Sequence, residues 1–198
     1  MRILGLDPGL QVTGYAVLEA TDNGPKVCDA GVIRSAEGRD PADMAQRLRT
    51  LYDGLCEVLD EWKPCAMAVE QLYAHYDHPR TAILMAHARG VFFLAGAQRG
   101  IPVLSYASTK VKRLITGSGR ASKEQMQHAV ARELGLTKLP EPHDVADALA
   151  IALCHYFAGS TTVRGPSSAV FTGVNLKALL GHDPDDLSEE GDTKDEGT

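Results

Sequence analysis

Four acidic residues stand where their chemistry asks for a reason. Asp7 ends the apolar run "RILGLD", and Glu70 stands at the end of a second one, within "AMAVEQL". Asp144 and Asp147 are three apart at the head of "HDVADALAIALCHYF", so a helix there presents both on one face. Turn preference alone accounts for Asp7, which precedes Pro8-Gly9, and the helix dipole alone accounts for the Asp144/Asp147 pair. Neither account reaches Glu70, because an ionised residue in an apolar strand is costly to bury unpaired. Gathered in one cleft, the four carboxylates would repel one another unless a cation offset them. An all-oxygen donor set with room for water suits Mg²⁺, with Mn²⁺ as a substitute. Two such ions about 4 Å apart can activate a water and stabilise the leaving oxygen of a phosphodiester.

The elements that must position these acids read clearly. "RILGLD", "TGYAVLEA" and "KVCDAGVIR" are strands, and Asn23-Gly24 between the last two is a strong hairpin signal, so the chain opens on an antiparallel meander. Residues 41–62 switch to helical spacing, with Met44, Leu48, Leu51, Leu55, Val58, Leu59 and Trp62 on one stripe. Residues 66–72 form a buried strand of parallel type, and 80–100 form a helix that is apolar on most of its circumference. Such a helix needs cover on a second side, which a second copy of the chain supplies, so a homodimer is expected. "IPVLSY" is a fifth strand, followed by helices over 108–116, 122–134 with Ser122 as N-cap, and 143–157. Two strands reached through helices suit parallel pairing by right-handed crossovers. The expectation is an α/β fold whose mixed five-stranded sheet carries three antiparallel and two parallel strands, with helices on both faces. Ligands collect at the carboxyl ends of such strands, where Asp7 and Glu70 lie.

Composition narrows the class. The chain has 198 residues, 44% hydrophobic and 23% charged, with no run near the roughly 20 apolar residues of a membrane span. No signal-peptide pattern precedes the first strand, so a cytoplasmic protein is expected. The four cysteines form no CxxC pair, which argues against a zinc site or disulfide framework. His75 and His78 are three apart, but Pro79 makes them a poor metal pair. The net charge of −6 is unevenly spread. Residues 174–198 alone carry −6, whereas 99–138 carry eight Lys or Arg against Glu124 and Glu133. A basic stretch of this kind is the footprint of an anionic ligand, here the phosphate backbone.

These segments carry a resemblance. "ILGLDPGLQVTGYAVLE", "AVEQLY", "VKRLITGSGRASKEQMQ" and "DVADALAIALCH" resemble the RuvC Holliday-junction resolvases over about residues 1–157. The resemblance implies an RNase H-like fold, a homodimer, and paired, symmetric, metal-dependent cutting of four-way DNA junctions. The nicks would carry 5′-phosphates, in the service of recombination and repair. It places an acidic, metal-holding tetrad on Asp7, Glu70, Asp144 and Asp147. Tyr73 falls where the family often has Phe, and its ring can stack on an unpaired base. Lys112 and Lys123 match the family's basic positions, Lys123 near the scissile group, where a cation offsets charge developing in the transition state. Arg80, Lys110, Arg113 and Arg120 complete the expected DNA contacts, and His143 is a candidate water or metal contact. Partnership with the RuvA–RuvB branch-migration complex is implied in the same way.

Two other readings compete. "GLDPGLQVTG" also looks like the phosphate loop of actin-like kinases and ATPases, although "DNGP" does not repeat it. A junction-binding module without cleavage would be expected had the tetrad decayed, but all four acids are present. The domain reading is a nuclease domain over 1–158 and a flexible, acidic extension over 159–198, with 181–198 disordered in composition.

Overall fold

The computed structural model of the chain describes residues 1–35, 44–72 and 79–160. Five strands and five helices follow one another as β1 (Arg2–Asp7), β2 (Val12–Thr21), β3 (Gly24–Arg34), α1 (Met44–Trp62), β4 (Ala66–Glu70), α2 (Pro79–Gln98), β5 (Val103–Tyr106), α3 (Ser108–Thr116), α4 (Lys123–Glu133) and α5 (His143–Ser160). The sheet order is β3-β2-β1-β4-β5. β1, β2 and β3 pair antiparallel, whereas β4 pairs parallel with both β1 and β5. This is the mixed sheet expected, with each parallel strand reached through a helix. The reading of 159–198 falls from residue 161 onward outside the described residues.

The departures from the expected spans are small and local. β5 starts at Val103 rather than Ile101, because Pro102 has no N–H to give a ladder. The Ile101 amide instead donates to the Gly96 carbonyl and closes the end of α2, with Gly100 at φ +66°. A register shift at Val17/Leu18 passes over Cys28 on the facing strand, a bulge that no residue pattern announced. Gly24 takes φ +108° in the β2–β3 turn, where a side chain would be strained.

Alternation along the strands builds a core on each side of the sheet. Leu4 and Leu6 of β1 and Met67 and Val69 of β4 face α1 and α2, packing with Leu51, Leu55, Leu59 and Phe92. Ile3 and Ala68 face the other way, onto Val145, Leu149 and Leu153 of α5. With a period of two, Asp7 and Glu70 must share that second face with Ile3 and Ala68. The pairing of Leu6 with Val69 brings the two acids to the same level on neighbouring strands.

Helix α5 reaches this face at unusually short range. A Cβ at Gly5 would lie 2.2 Å from the Ala148 carbonyl oxygen and 2.7 Å from the Ala152 nitrogen. A Cβ at Gly14, the β2 partner of Asp7, would lie 2.0 Å from the Asp144 carbonyl oxygen. Both clashes are with backbone, which cannot rotate aside. Ala148 and Ala152, one turn apart on the face of α5 that meets Gly5, are fully buried, and these small residues let the helix axis approach. No helix among the described residues is long and apolar enough to cross a membrane. Gly5→Ala is expected to push α5 off the sheet at a cost of about 1–3 kcal/mol, lowering the melting temperature by about 2–4 °C for each kcal/mol. Thermal denaturation that leaves the melting point of Gly5→Ala unchanged contradicts this packing.

Candidate active site

The sheet and α5 converge on one point. Asp7 ends β1, Glu70 ends β4 beside it, and Asp144 lies over Gly14 on the other flank of Asp7. One turn later on α5, Asp147 lines a cavity of about 250 Å³ together with Asp7, Glu70, Ser108, Lys112 and Lys123. Asp144 is not part of the cavity wall, but its charge acts on both Asp7 and Asp147. A larger concavity of about 710 Å³ runs along α4, where Glu124 is the sole acid in its wall.

The acids perturb one another strongly. Burial, then the charges of Glu70, Asp147 and Asp144, push the Asp7 carboxyl up to about 8. Burial also raises Glu70, opposed first by a hydrogen bond with the Ser108 hydroxyl and later by Asp7 and Lys112. The hydrogen bond between Asp7 and Glu70 raises Asp7 and lowers Glu70, and a bond between two carboxyl groups requires one proton shared by the pair. Asp147 is raised by burial, relieved chiefly by Lys123, raised again by Asp144, and relieved by His143 and Lys112. Among the described residues no three acid, His or Cys side chains are arranged as a ready cage for one ion. The repulsion between Asp7 and Glu70 is met by the shared proton.

The two cavity lysines are set by helix ends. Gly117, at φ +79°, caps α3 through its amide to the Arg113 carbonyl. Ser122 and Gln125 then form a reciprocal capping box that starts α4 at Lys123, as the N-cap reading expected. The remaining basic candidates lie outside the cavity. Lys110, Arg113 and Arg120 are exposed on α3 and the α3–α4 turn, and the Lys110 ammonium stands 5.2 Å from the Tyr106 ring centroid. None of Lys110, Lys112, Arg113, Arg120 or Lys123 forms an ion pair among the described residues. Arg99, counted in the basic stretch, is different. Its guanidinium is bound to Asp60 of α1 at 2.8 and 2.9 Å, so it belongs to the α1–α2 packing. Arg80 is exposed in the first turn of α2, and His143 is exposed at the start of α5. Tyr73, His75 and His78 lie outside the described residues.

Two side chains escaped the sequence reading. Ser108 lines the cavity and bonds to Glu70, a role foreshadowed only by its place just after the strand that pairs with β4. Arg89 donates to the Glu70 carbonyl, and nothing in its helical context signals that contact. The phosphate-loop reading of "GLDPGLQVTG" finds no support in the β1–β2 turn. The Thr13 hydroxyl donates to the Gly9 carbonyl at 2.8 Å, and the Gly9 amide donates back to Thr13 at 3.3 Å, so these groups are spent within the turn. All four cysteines are free thiols.

Comparison with known proteins agrees with this geometry. Residues 3–155 match the family described as crossover junction endodeoxyribonuclease RuvC. The chain is 53% identical over 161 residues to a protein of that name from Rhodopirellula baltica, covering 80% of this chain and 88% of the relative. The corresponding protein of Desulforamulus reducens is 44% identical over 161 residues, covering 81% and 96%. Among solved structures, Thermus thermophilus RuvC aligns with a TM-score of 0.73 at 32% identity, covering 81% of this chain and 96% of that one. The same Thermus protein in complex with a Holliday junction substrate aligns at 0.72 and 29% identity, covering 82% and 97%. An acid at the end of each of two parallel strands, two more on the helix laid across them, and a match over residues 3–155 lead to one conclusion: the chain belongs to the RuvC family of crossover junction endodeoxyribonucleases.

Proposed function

We propose that this chain resolves four-way DNA junctions by divalent-cation-dependent hydrolysis of phosphodiesters, with Asp7, Glu70, Asp144 and Asp147 as the acidic tetrad. The observation that carries the reading is the cavity that gathers Asp7, Glu70 and Asp147 with Lys112 and Lys123, with Asp144 acting on it by charge. The donor set fits Mg²⁺ or Mn²⁺: every acid offers hard oxygens, and their repulsion is only partly relieved by the two lysines. A bound pair of such ions supplies an activated water and a Lewis acid for the leaving oxygen. Asp7 would serve as a ligand in its ionised form, and the Ser108 hydroxyl favours the ionised form of Glu70 against the effect of burial. Lys123 and Lys112 offset charge on the phosphoryl oxygens, and hydrolysis of the P–O3′ bond leaves a 5′-phosphate and a 3′-hydroxyl.

Exposed Lys110, Arg113 and Arg120 extend the basic wall away from the acids, where duplex arms would lie, and exposed Arg80 joins them as a DNA contact, as does Tyr73 by its place in the sequence. Paired cutting requires two sites, and α2 offers the contact: Ile83 and Leu94 are 57% and 53% exposed on a helix apolar around most of its surface. We therefore read the active unit as a homodimer, and contact with the RuvA–RuvB complex belongs to the same reading.

A synthetic immobile junction tests the proposal. With Mg²⁺ the protein is expected to release two nicked duplexes that ligase can seal, and with EDTA none. Asp7→Asn is expected to bind the junction within about threefold of wild type while cutting about a thousandfold more slowly. Undiminished cutting by that variant removes Asp7 from the tetrad. The plot of log affinity against log salt is expected to be steep, and to lose about one unit of slope for each of Arg113→Ala and Arg120→Ala. A flat plot contradicts phosphate contact by this wall.

The proton on Asp7 adds a pH signature. Its carboxyl titrates near 3.8 when unperturbed and near 8 in the fold, so the folded protein binds the extra proton between those values. In EDTA, stability should therefore fall as pH rises from about 4 to 8. Asp7→Asn cannot titrate, so it should melt above wild type by a margin that is absent near pH 4 and complete by pH 8. Parallel melting curves for the two proteins across that range contradict the assignment.

A further inference from the structure

We propose that Arg89 is a positioning residue for Glu70, holding the acid's main chain from the face of the sheet opposite the cavity. The inference rests on the nuclease reading above. Arg89 lies on α2, which packs with Met67 and Val69 on one side of β4, whereas the Glu70 side chain points to the other side. Its Nε donates to the Glu70 carbonyl oxygen at 3.2 Å, and its Nη2 donates to the Ser105 hydroxyl on β5. The guanidinium plane is steadied by Phe93, one turn along α2, at 4.4 Å from the ring centroid.

Three features make this more than a surface contact. First, Arg89 is half-buried and forms no ion pair among the described residues, so its charge is directed at a carbonyl and a hydroxyl. Second, the two acceptors sit on neighbouring parallel strands at the end where the ladder stops. The last main-chain bond there, from the Gln71 amide to the Tyr106 carbonyl at 2.8 Å, fixes one side of the Glu70–Gln71 peptide. Arg89 fixes the other. Third, the planar guanidinium presents Nε and Nη2 to the two acceptors at a fixed spacing, a rigidity that a lysine ammonium on a flexible stem does not reproduce. With Ser108 gripping its carboxylate, Glu70 is held by side chain and main chain from opposite faces. Because the sheet lies between Arg89 and the cavity, the residue acts through Glu70 rather than on substrate.

The test compares wild type, Arg89→Lys and Ser105→Ala as full-length proteins. Mn²⁺ affinity is read by electron paramagnetic resonance, junction affinity in EDTA, and cleavage in single turnover. For Arg89→Lys, Mn²⁺ affinity is expected to fall about tenfold and cleavage about 10–100-fold, with junction affinity kept within about twofold. Ser105→Ala, which frees one arm of the fork by removing a single hydroxyl, is expected to show the same pattern at about threefold, and it decides the matter if Arg89→Lys fails to fold. Lower melting temperatures with unchanged Mn²⁺ affinity and cleavage overturn the proposal, leaving Arg89 a stabilising residue only. Loss of junction affinity with Mn²⁺ affinity intact also overturns it, making Arg89 a DNA contact. A wild-type protein that neither binds Mn²⁺ nor cuts sinks the nuclease reading itself, a result distinct from these.

Discussion

The site depends on how closely α5 lies on the sheet. Backbone meets backbone at Gly5 and Gly14, where even a methyl group would come within about 2 Å of a helix carbonyl. That approach sets Asp144 over the β2 neighbour of Asp7 and Asp147 one turn further into the cavity. A helix held at the usual distance by Leu or Ile would leave its acids too far from Asp7 to share a ligand. Ala148 and Ala152 of α5 and the two glycines are therefore one device, spending some side-chain burial to bring charges together.

Four like charges in one place oppose folding, and the rest of the structure answers that opposition. Two hydrophobic layers clamp the central strands from both faces, with Leu4, Leu6, Met67 and Val69 fully buried on one side and Leu149 and Leu153 equally withdrawn from solvent on the other. A proton shared between Asp7 and Glu70, a hydroxyl from Ser108 and the ammonium groups of Lys112 and Lys123 reduce the repulsion without cancelling it. The residual imbalance is what a divalent cation would relieve, so the strain held in the apoprotein and the affinity for metal have one origin.

Much of this was legible in the sequence because each local signal had a single physical meaning. Apolar runs of five or six residues ending in an acid, helical spacing in 44–62, Asn23-Gly24 and the Ser122 cap all reappear at or near their expected places. What could not be read was register. The level match of Asp7 with Glu70 depends on Leu6 pairing with Val69, a contact 63 residues apart in the chain with no local marker. The same limit hid Ser108 and Arg89, whose importance lies in what they touch across the fold. It also placed Arg99 in the wrong company, since net charge along a stretch says nothing about its partner Asp60 on α1.

If the close approach of α5 assembles one acidic centre for divalent cations, the ions must bind where its acids meet those of the sheet. Crystals soaked in Mn²⁺ and measured at its absorption edge test this directly. Anomalous peaks are expected within ligand distance of Asp7, with Glu70, Asp144 and Asp147 turned toward them and the Asp7–Glu70 hydrogen bond broken. Peaks elsewhere on the protein, or none while that hydrogen bond persists, would contradict it.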